Sequence, residues 1–296
     1  MADFQKQTVQ WFPGHMAKTR RIIKESLNKV DGVVELVDAR IPYSSSNPEL
    51  DSIIKRKPRI VLLNKCDIAE PTATKMWIDY YKSKGIYALP VDCRTGKGLN
   101  NFIPTVNKAL ASVIKKNEER GMAGKSLRLM VVGIPNTGKS SFKNRMAGNA
   151  NAKVADKAGV TRQQQWFNVG KGIELLDTPG VLWPKFDDPT VGIRLACTGA
   201  VKDTVMDIET LAVNFIDEMK KRYAHLLEQR YIFTLDKNQD SYDILCEIGR
   251  KRGMVIRGGE IDTERAAVML MDEYRAGKLG KTTLDSANEK GDKSDA

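Results

Sequence analysis

The chain has 296 residues, of which 41% are hydrophobic and 29% are charged. This composition is typical of a folded protein with one sizeable domain and a smaller one. The sequence has no apolar stretch that approaches the length of about 20 residues needed to span a bilayer, and its N-terminus has no apolar core of a signal peptide, which argues against membrane spans and secretion. It has no Cys-x-x-Cys pair, which argues against structural zinc. We therefore expect a cytoplasmic protein with reduced thiols.

The positive charge, +11 in total, is concentrated in the first two thirds of the chain. Residues 1–199 carry 32 Lys or Arg against 18 Asp or Glu, whereas residues 200–296 carry 16 against 19. This excess favours a polyanionic partner for the first part. The second part has two local basic clusters, Lys220-Lys221-Arg222 and Arg250-Lys251-Arg252, each of which is either an RNA contact or a solvated helix face.

In chain order, strands and helices alternate up to about residue 200. Apolar runs predict strands at residues 32–38, 59–63, 86–91, 127–132 and 173–176, and helical spacing predicts helices at residues 15–30, 74–84, 99–115 and after Lys139. The alternation predicts an α/β domain over residues 1–200 with a parallel sheet that binds ligands at its carboxyl ends. From residue 203 only helical spacing remains, so residues 203–278 are expected to form a small all-α domain and residues 279–296 a disordered tail.

The first motif, Asn64-Lys65-Cys66-Asp67, follows the second predicted strand. The carboxylate of Asp67 can accept hydrogen bonds from both N1–H and N2–H₂ of guanine, whereas adenine offers no such pair of donors. The motif therefore favours a guanine nucleotide, with Asn64, Lys65 and Asp67 in the base site. Asp92-Cys93-Arg94 follows the third strand, where guanine nucleotide-binding proteins place a loop whose backbone supports the base. Cys93 is equally compatible with an ordinary buried thiol.

The second motif is a phosphate loop, which lies between the fourth strand and a helix. It has the pattern Gly-x-x-x-x-Gly-Lys-Ser over residues 133–140. Its backbone N–H groups and the helix N-terminus favour phosphate oxygens. Lys139 is expected to reach the β- and γ-phosphates, and Ser140 to bind Mg²⁺. The expected nucleotide contacts in this loop and the first helical turn are Asn136, Thr137, Gly138, Lys139, Ser140 and Ser141.

The third motif, Asp177-Thr178-Pro179-Gly180, follows the fifth predicted strand and resembles the switch II motif of GTPases. Asp177 suits a second Mg²⁺ position, and the N–H of Gly180 suits the γ-phosphate. Thr161 lies between this motif and the phosphate loop, and it is the candidate switch I threonine and a further Mg²⁺ ligand.

The order of the motifs is reversed relative to Ras-like proteins, in which the phosphate loop precedes Asn-Lys-x-Asp. The simplest account is a circularly permuted GTPase domain of the P-loop NTPase class. This order, with Trp11-Phe12-Pro13-Gly14-His15-Met16 near the N-terminus and the helical C-terminal domain, resembles the ribosome biogenesis GTPase A family over about residues 9–278. The resemblance implies a cytoplasmic, Mg²⁺-dependent GTPase that acts late in assembly of the large ribosomal subunit and contacts its rRNA.

The groups that would complete hydrolysis are less well defined. Ras-like enzymes place a water-orienting Gln directly after Asp-x-x-Gly, but here Val181 and Leu182 follow. The resemblance implies His15 as the replacement, acting beside Lys139 and Thr161, although a His after Pro13-Gly14 can also be a structural turn residue. It also implies that Asn136 helps to hold K⁺ against the phosphates, the alternative being a turn-forming Asn.

Three functions are compatible with these motifs. The leading hypothesis is a GTPase that docks on the pre-ribosomal particle in its GTP state, is released after hydrolysis, and is monomeric away from the ribosome. A regulatory GTPase with a protein partner and no RNA contact is the alternative, which the basic first two thirds disfavours. An ATP-dependent small-molecule kinase is a third possibility, which Asp67 disfavours.

Overall fold

The computed structural model of the protein describes residues 21, 23–54, 57–148, 165–180, 188–201, 206–236 and 238–287. This part of the chain forms two compact units. The first, the α/β unit, comprises residues 21–180 together with residues 285–287. The second, the helical unit, comprises residues 188–284.

The α/β unit is built on a six-stranded sheet. In chain order its strands are β1 (Gly32–Asp38), β2 (Arg59–Asn64), β3 (Tyr87–Val91), β4 (Leu127–Val132), β5 (Gln165–Gly170) and β6 (Ile173–Asp177). The spatial order is β3-β2-β1-β4-β6-β5, with β1 and β4 paired in parallel at the centre. The predicted parallel sheet is confirmed for five strands. The sixth, β5, is an antiparallel edge strand that the sequence did not predict, because its residues are mostly exposed and form no apolar run.

Helices cover both faces of this sheet. A helical segment over residues 23–27, within the helix predicted at residues 15–30, precedes β1 and packs Ile23 and Leu27 into the core. The other helices are α1 (Leu50–Ile54), α2 (Pro71–Ser83), α3 (Phe102–Ala109), α4 (Ala111–Glu119) and α5 (Lys139–Met146). Val34 lies in a core with Phe102 and Phe142, whose rings meet edge to face at 5.2 Å. Val37 lies in a core on the opposite face with Trp77 of α2. Because both faces are buried, the central strands are continuous apolar runs, which is why the sequence identified them.

The single helix predicted over residues 99–115 is divided into three segments. A 3₁₀ turn at Leu99–Asn101 precedes α3, and α3 and α4 are separated at Leu110. Leu110 has φ −104° and ψ 17°, outside the helical range, and its side chain is fully buried in the core. Apolar spacing alone does not reveal such a break, since Leu110 continues the apolar stripe.

The helical unit contains α6 (Pro189–Cys197), α7 (Ile208–Arg222), α8 (Ala224–Tyr231), α9 (Ser241–Lys251) and α10 (Thr263–Arg275). In four of them the N-cap is an aspartate whose carboxylate accepts a backbone N–H of the first turn: Asp188, Asp207, Asp240 and Asp262. Each such cap stabilises its helix by about 1 kcal/mol. The unit includes α6, which the boundary predicted near residue 200 had assigned to the α/β domain. None of the helices described is long and apolar enough to cross a membrane.

The expectation of a disordered tail from residue 279 is wrong for residues 279–287. Thr282 and Thr283 are fully buried, and the carbonyl groups of Thr283 and Leu284 accept hydrogen bonds from Arg222 at 2.8 and 2.7 Å. The segment is therefore ordered through its backbone carbonyl groups, which its polar side-chain composition does not reveal. Residues 288–296 lie outside the described part of the chain.

Asp285, one residue further on, belongs to the α/β unit. Its buried carboxylate accepts hydrogen bonds from the N–H and the hydroxyl of Ser44, both at 2.7 Å. Ser44 lies in the loop between β1 and α1, 241 residues earlier in the chain. The last described residues thus help to fix a loop of the α/β unit.

We expect a chain that ends after Leu284 to be less stable than one that ends after Ala287. The shorter chain leaves the buried N–H of Ser44 without its acceptor, which costs about 1–3 kcal/mol. Urea unfolding followed by tryptophan fluorescence measures the difference, and Asp285→Ala in the full chain should reproduce it. Equal unfolding midpoints for the two truncated chains would contradict this role of Asp285.

Candidate functional site: loops at the carboxyl edge of the sheet

The predicted motifs meet at one edge of the sheet. Four parallel strands end at or directly before a predicted site residue: Asn64 ends β2, Asp92 follows β3, the phosphate loop follows β4, and Asp177 ends β6. The carboxyl ends of parallel strands meet at the same edge of a sheet. The reversal of the motifs along the chain therefore does not separate them in space.

The side chain of Asn64 joins three of these loops. Its Nδ2 donates to the carbonyl oxygen of Thr137 at 2.7 Å, and its Oδ1 accepts from the N–H of Cys93 at 2.9 Å. Asn64 is buried, so both bonds are shielded from water. Asn64 thus connects the phosphate loop to the base-supporting loop, and the side-chain hydroxyl of Thr137 closes its own loop by donating to Ile134.

Gly138 is the position where the phosphate loop approaches Asn64. Its φ is 96°, in the left-handed region, and a Cβ there would lie 2.2 Å from Nδ2 of Asn64. Only glycine satisfies both conditions. Asn136 also has a left-handed φ, 60°, which Asn tolerates better than most residues. Ser140 and Ser141, in the first turn of α5, are exposed.

Lys139 is folded back against its own loop. Its Nζ donates to the carbonyl oxygens of Gly133 and Ile134 at 2.8 and 2.7 Å. Burial lowers the pKa of Lys139 to about 8, with Asp177 acting in the opposite direction. A partly buried ammonium group whose hydrogen bonds go to carbonyl oxygens is suited to a nearby anion, which phosphate provides.

Two of the three residues predicted to hold Mg²⁺ are described, and both fit that ion. Asp177 is a buried carboxylate, and Ser140 supplies an exposed hydroxyl in the first turn of α5; such oxygen ligands are the type that Mg²⁺ prefers. Burial raises the pKa of Asp177, while Lys143, whose Nζ lies 3.4 Å from its Oδ2, lowers it. The described residues contain no group of three or more His, Cys, Asp or Glu that could hold a metal. Bound Mg²⁺ would therefore take further oxygen ligands from phosphate or water.

Gly180, the last residue of the Asp-x-x-Gly motif, lies against the phosphate loop. A Cβ at this position would lie 3.1 Å from both Nζ of Lys139 and the backbone nitrogen of Pro135. The hydroxyl of the neighbouring Thr178 donates to Val131 of β4 at 2.6 Å and fixes the start of the motif. The two phosphate-side motifs are thus in direct contact.

Asp67, the predicted guanine-reading carboxylate, is partly exposed and forms a 3.6 Å ion pair with Arg94. The supporting loop is ordered by Asp92, which accepts from the N–H of Arg94 and the hydroxyl of Thr95 at 2.9 and 2.6 Å. Burial by itself would raise the pKa of Asp92, but the hydrogen bonds that its carboxylate accepts lower this pKa overall.

The N–H groups of Cys93 and Arg94 both donate within the protein, so they organise the loop itself. The thiol of Cys93 is buried, which raises its pKa to about 12. The side chain of Cys93 therefore matches the ordinary buried thiol that the sequence left open.

Several positions discussed above lie outside the described residues: the whole segment 11–16, which includes His15, as well as Thr161, Val181 and Leu182. The roles of His15 and Thr161 remain predictions from the sequence.

The basic clusters of the helical unit make contacts within that unit. Lys220 donates to the carbonyl oxygen of Gln239 at 2.6 Å, and Arg222 donates to Thr283 and Leu284 as described above. The remaining members form ion pairs with glutamates, namely Lys221, Arg250, Lys251 and Arg252. The side chains of Lys221 and Arg250 are 64% and 61% exposed, so these two are the most accessible to a polyanion.

Sequence reasoning missed two contributors to the site. Asp38 ends β1 at the same edge and forms a 2.8 Å ion pair with Lys65 of the Asn-Lys-x-Asp motif. Arg145, near the end of α5, donates to the carbonyl oxygen of Arg94 in the supporting loop. The position of Asp38 directly after an apolar strand is the signal that could have identified it, since Asn64 and Asp177 were found in that way.

Comparison with known proteins agrees with this geometry. Residues 128–245 match the protein family described as "50S ribosome-binding GTPase". A solved structure described as GNP-bound YlqF from Thermotoga maritima superposes with a TM-score of 0.62 at 27% identity, covering 91% of this chain and 98% of that one. The fold is therefore that of a P-loop GTPase domain with additional helices.

Full-length relatives identify the family. Ribosome biogenesis GTPase A of Thermotoga maritima is 31% identical over 277 residues, which is 94% of each chain. Ribosome biogenesis GTPase A of Priestia megaterium is 46% identical over 283 residues, which is 95% of this chain and 98% of that protein. These relatives are GTPases, so the kinase hypothesis is discarded. The chain belongs to the ribosome biogenesis GTPase A family and is a GTPase.

Proposed function

We propose that this GTPase is a cytoplasmic assembly factor for the large (50S) ribosomal subunit, which binds the pre-ribosomal particle and its rRNA in the GTP state and leaves after hydrolysis to GDP. The observation that carries the proposal is the near full-length similarity to ribosome biogenesis GTPases, combined with a described site whose three motifs meet at one sheet edge. The excess of basic residues in residues 1–199 supports an rRNA partner.

The described residues divide the work of binding GTP. Lys139 and the backbone of the phosphate loop bind the β- and γ-phosphates, while Asp67 accepts from the guanine base. Ser140 and Asp177 would hold Mg²⁺, which offsets phosphate charge when bound. Gly180 lies against these residues, since a Cβ at its position would be 3.1 Å from Nζ of Lys139, and its N–H would donate to the γ-phosphate. We assign the orientation of the attacking water to His15, because Val181 and Leu182 cannot bind water through their side chains. We assign a further Mg²⁺ contact to Thr161.

The proposed release step uses the connection between the two units. The chain continues from Gly180 into the helical unit, whose first described helix is α6. A change in the Asp-x-x-Gly motif on loss of the γ-phosphate is thereby passed on through the covalent chain.

The test is co-sedimentation of the protein with large ribosomal particles, with a non-hydrolysable GTP analogue or with GDP, over a range of salt concentrations. We expect stronger binding with the GTP analogue and a steep loss of affinity with salt. The double variant Arg250→Gln/Lys251→Gln should weaken binding and lower the salt slope by about two. The matched control Arg265→Gln/Lys278→Gln removes two exposed charges of the same unit and should have little effect.

The same measurement distinguishes the alternative. A regulatory GTPase that acts on a protein partner without RNA contact would bind with weak dependence on salt, and neither double variant would change its affinity. Equal losses in the two double variants would contradict a specific role for Arg250 and Lys251.

Potassium is the second proposed cofactor, and Asn136 is its proposed ligand. Replacing K⁺ by Na⁺ at saturating GTP should lower the hydrolysis rate, because a cation of suitable size beside the phosphates offsets developing charge. Asn136→Gly permits the left-handed φ of 60° and removes only the side chain, so it should abolish the difference between the two salts. Equal rates in K⁺ and Na⁺ for the unaltered protein would remove Asn136 from the mechanism.

The pKa of Lys139 predicts that GTP binding weakens at alkaline pH. Burial lowers this pKa to about 8 in the folded protein, and the ammonium form is the one that phosphate favours. Affinity should therefore change little around pH 7 and fall by up to about tenfold per pH unit above pH 8. Calorimetry at pH 8.5 in buffers of different ionisation enthalpy should detect proton uptake on binding.

Lys139→Arg is the matched control for this pH dependence. A guanidinium group stays charged throughout this range, so whatever binding the variant retains should occur without proton uptake. A flat affinity between pH 7 and 9 for the unaltered protein would contradict the assignment.

A further inference from the structure

Asp38 has a buried carboxylate at the carboxyl end of β1, beside the Asn-Lys-x-Asp motif. Its side chain is 3% exposed, and its two oxygens accept four hydrogen bonds. Arg40 supplies three of them, from its backbone N–H at 3.0 Å, its Nε at 3.0 Å and its Nη2 at 2.8 Å. The fourth comes from Nζ of Lys65 at 2.8 Å. Burial by itself would raise the pKa of Asp38, but Arg40 and Lys65 hold it well below its usual range.

Lys65 reaches Asp38 because of its backbone conformation. Its φ is 62°, in the left-handed region, which is uncommon for Lys. This turn directs the ammonium group of Lys65 back to β1, while Asp67, two residues on, remains partly exposed. A strained residue of this kind persists only where its surroundings fix it, and the ion pair with Asp38 is such a restraint.

The backbone on both sides is also fixed. The N–H of Ala39 donates to the carbonyl oxygen of Asn64 at 2.8 Å, and the N–H of Asp38 donates to Oγ of Ser45 at 2.9 Å. Ser45 lies next to Ser44, which the carboxylate of Asp285 holds. Asp38 therefore cannot move relative to β2 without breaking several buried hydrogen bonds.

We propose that Asp38 is a positioning residue for guanine recognition: it fixes Lys65, and thereby sets the conformation from which Asp67 reaches the base. Asp38 itself does not contact the nucleotide. Asp38 fixes the Asn-Lys-x-Asp motif through Lys65, whereas Asn64 connects the same motif to the phosphate loop.

Glu35 provides a matched control on the same strand. Its carboxylate is equally buried, pairs with Arg59 and accepts a hydrogen bond from Ser46 in the same loop, but it does not contact the Asn-Lys-x-Asp motif. Asp38→Asn and Glu35→Gln each remove one buried charge that is paired with an arginine. A purely structural role would make the two variants alike, whereas a positioning role separates them.

The experiment compares the affinities of the variants for GDP and for IDP, whose base lacks the 2-amino group. Asp67 accepts from that group, so the ratio of the two affinities reports its contact with the base. We expect Asp38→Asn to weaken GDP binding about tenfold and to lower the GDP/IDP ratio, whereas Glu35→Gln should lower the melting temperature and leave the ratio unchanged. Asp67→Asn should abolish the preference and serves as the reference for a lost contact.

A double-mutant cycle with Lys65→Met tests the route. If Asp38 acts through Lys65, then Asp38→Asn should cause little further loss of affinity in the Lys65→Met background. Additive losses would overturn the proposal, and so would an unchanged GDP/IDP ratio in Asp38→Asn or an equal change in Glu35→Gln. An unchanged ratio in Asp67→Asn would overturn it differently, by showing that Asp67 does not read the base.

Discussion

One buried side-chain amide, that of Asn64, holds together loops that are distant in the chain. Its two partners, Thr137 and Cys93, lie 73 and 29 residues away. Both partners are backbone groups, and a buried backbone group without a partner costs about 1–3 kcal/mol, so the loops are strongly coupled. The close approach of Gly138 fixes the distance as well, because no Cβ fits between the phosphate loop and the amide.

The reversed motif order leaves this site intact because the sheet does not depend on how its strands are joined. The central pair, β1 and β4, hydrogen bonds in parallel although 94 residues separate Asp38 from the end of β4 at Val132. The reversal changes which segment of the chain follows the Asp-x-x-Gly motif. After Gly180 it enters the helical unit, and it returns to the α/β unit at Asp285. The helical unit is therefore an insertion between a nucleotide-site motif and a residue that supports the loop after β1.

Sequence patterns identified those strands and motifs whose signal lies within a few consecutive residues. The central strands are continuous apolar runs because both faces of the sheet are buried, and each motif follows such a run. The antiparallel edge strand β5 was missed because exposed residues interrupt its apolar pattern. The order of residues 279–287 and the role of Asp38 were missed for a different reason. The partner of the Asp285 carboxylate, Ser44, lies 241 residues away, and Asp38 binds Lys65, 27 residues away, as well as the nearby Arg40. The position of Asp38 after an apolar strand could have drawn attention to it, but its contact with Lys65 cannot be read from the neighbouring residues.

The burial of Lys139 and Asp177 supports the proposed coupling between nucleotide binding and the Asp-x-x-Gly motif. Burial lowers the pKa of Lys139 to about 8, and the negative charge of Asp177 offsets only part of that effect. The pKa of Asp177 shifts in the opposite direction, since burial raises it and Lys143 offsets this increase only in part. Phosphate supplies the negative charge that favours the ammonium form of Lys139, and a divalent cation supplies the positive charge that favours the carboxylate of Asp177. Gly180 lies against Lys139 and follows Asp177 by three residues. In the proposed release step, a change of charge at the γ-phosphate would therefore act first on the segment that leads to the helical unit.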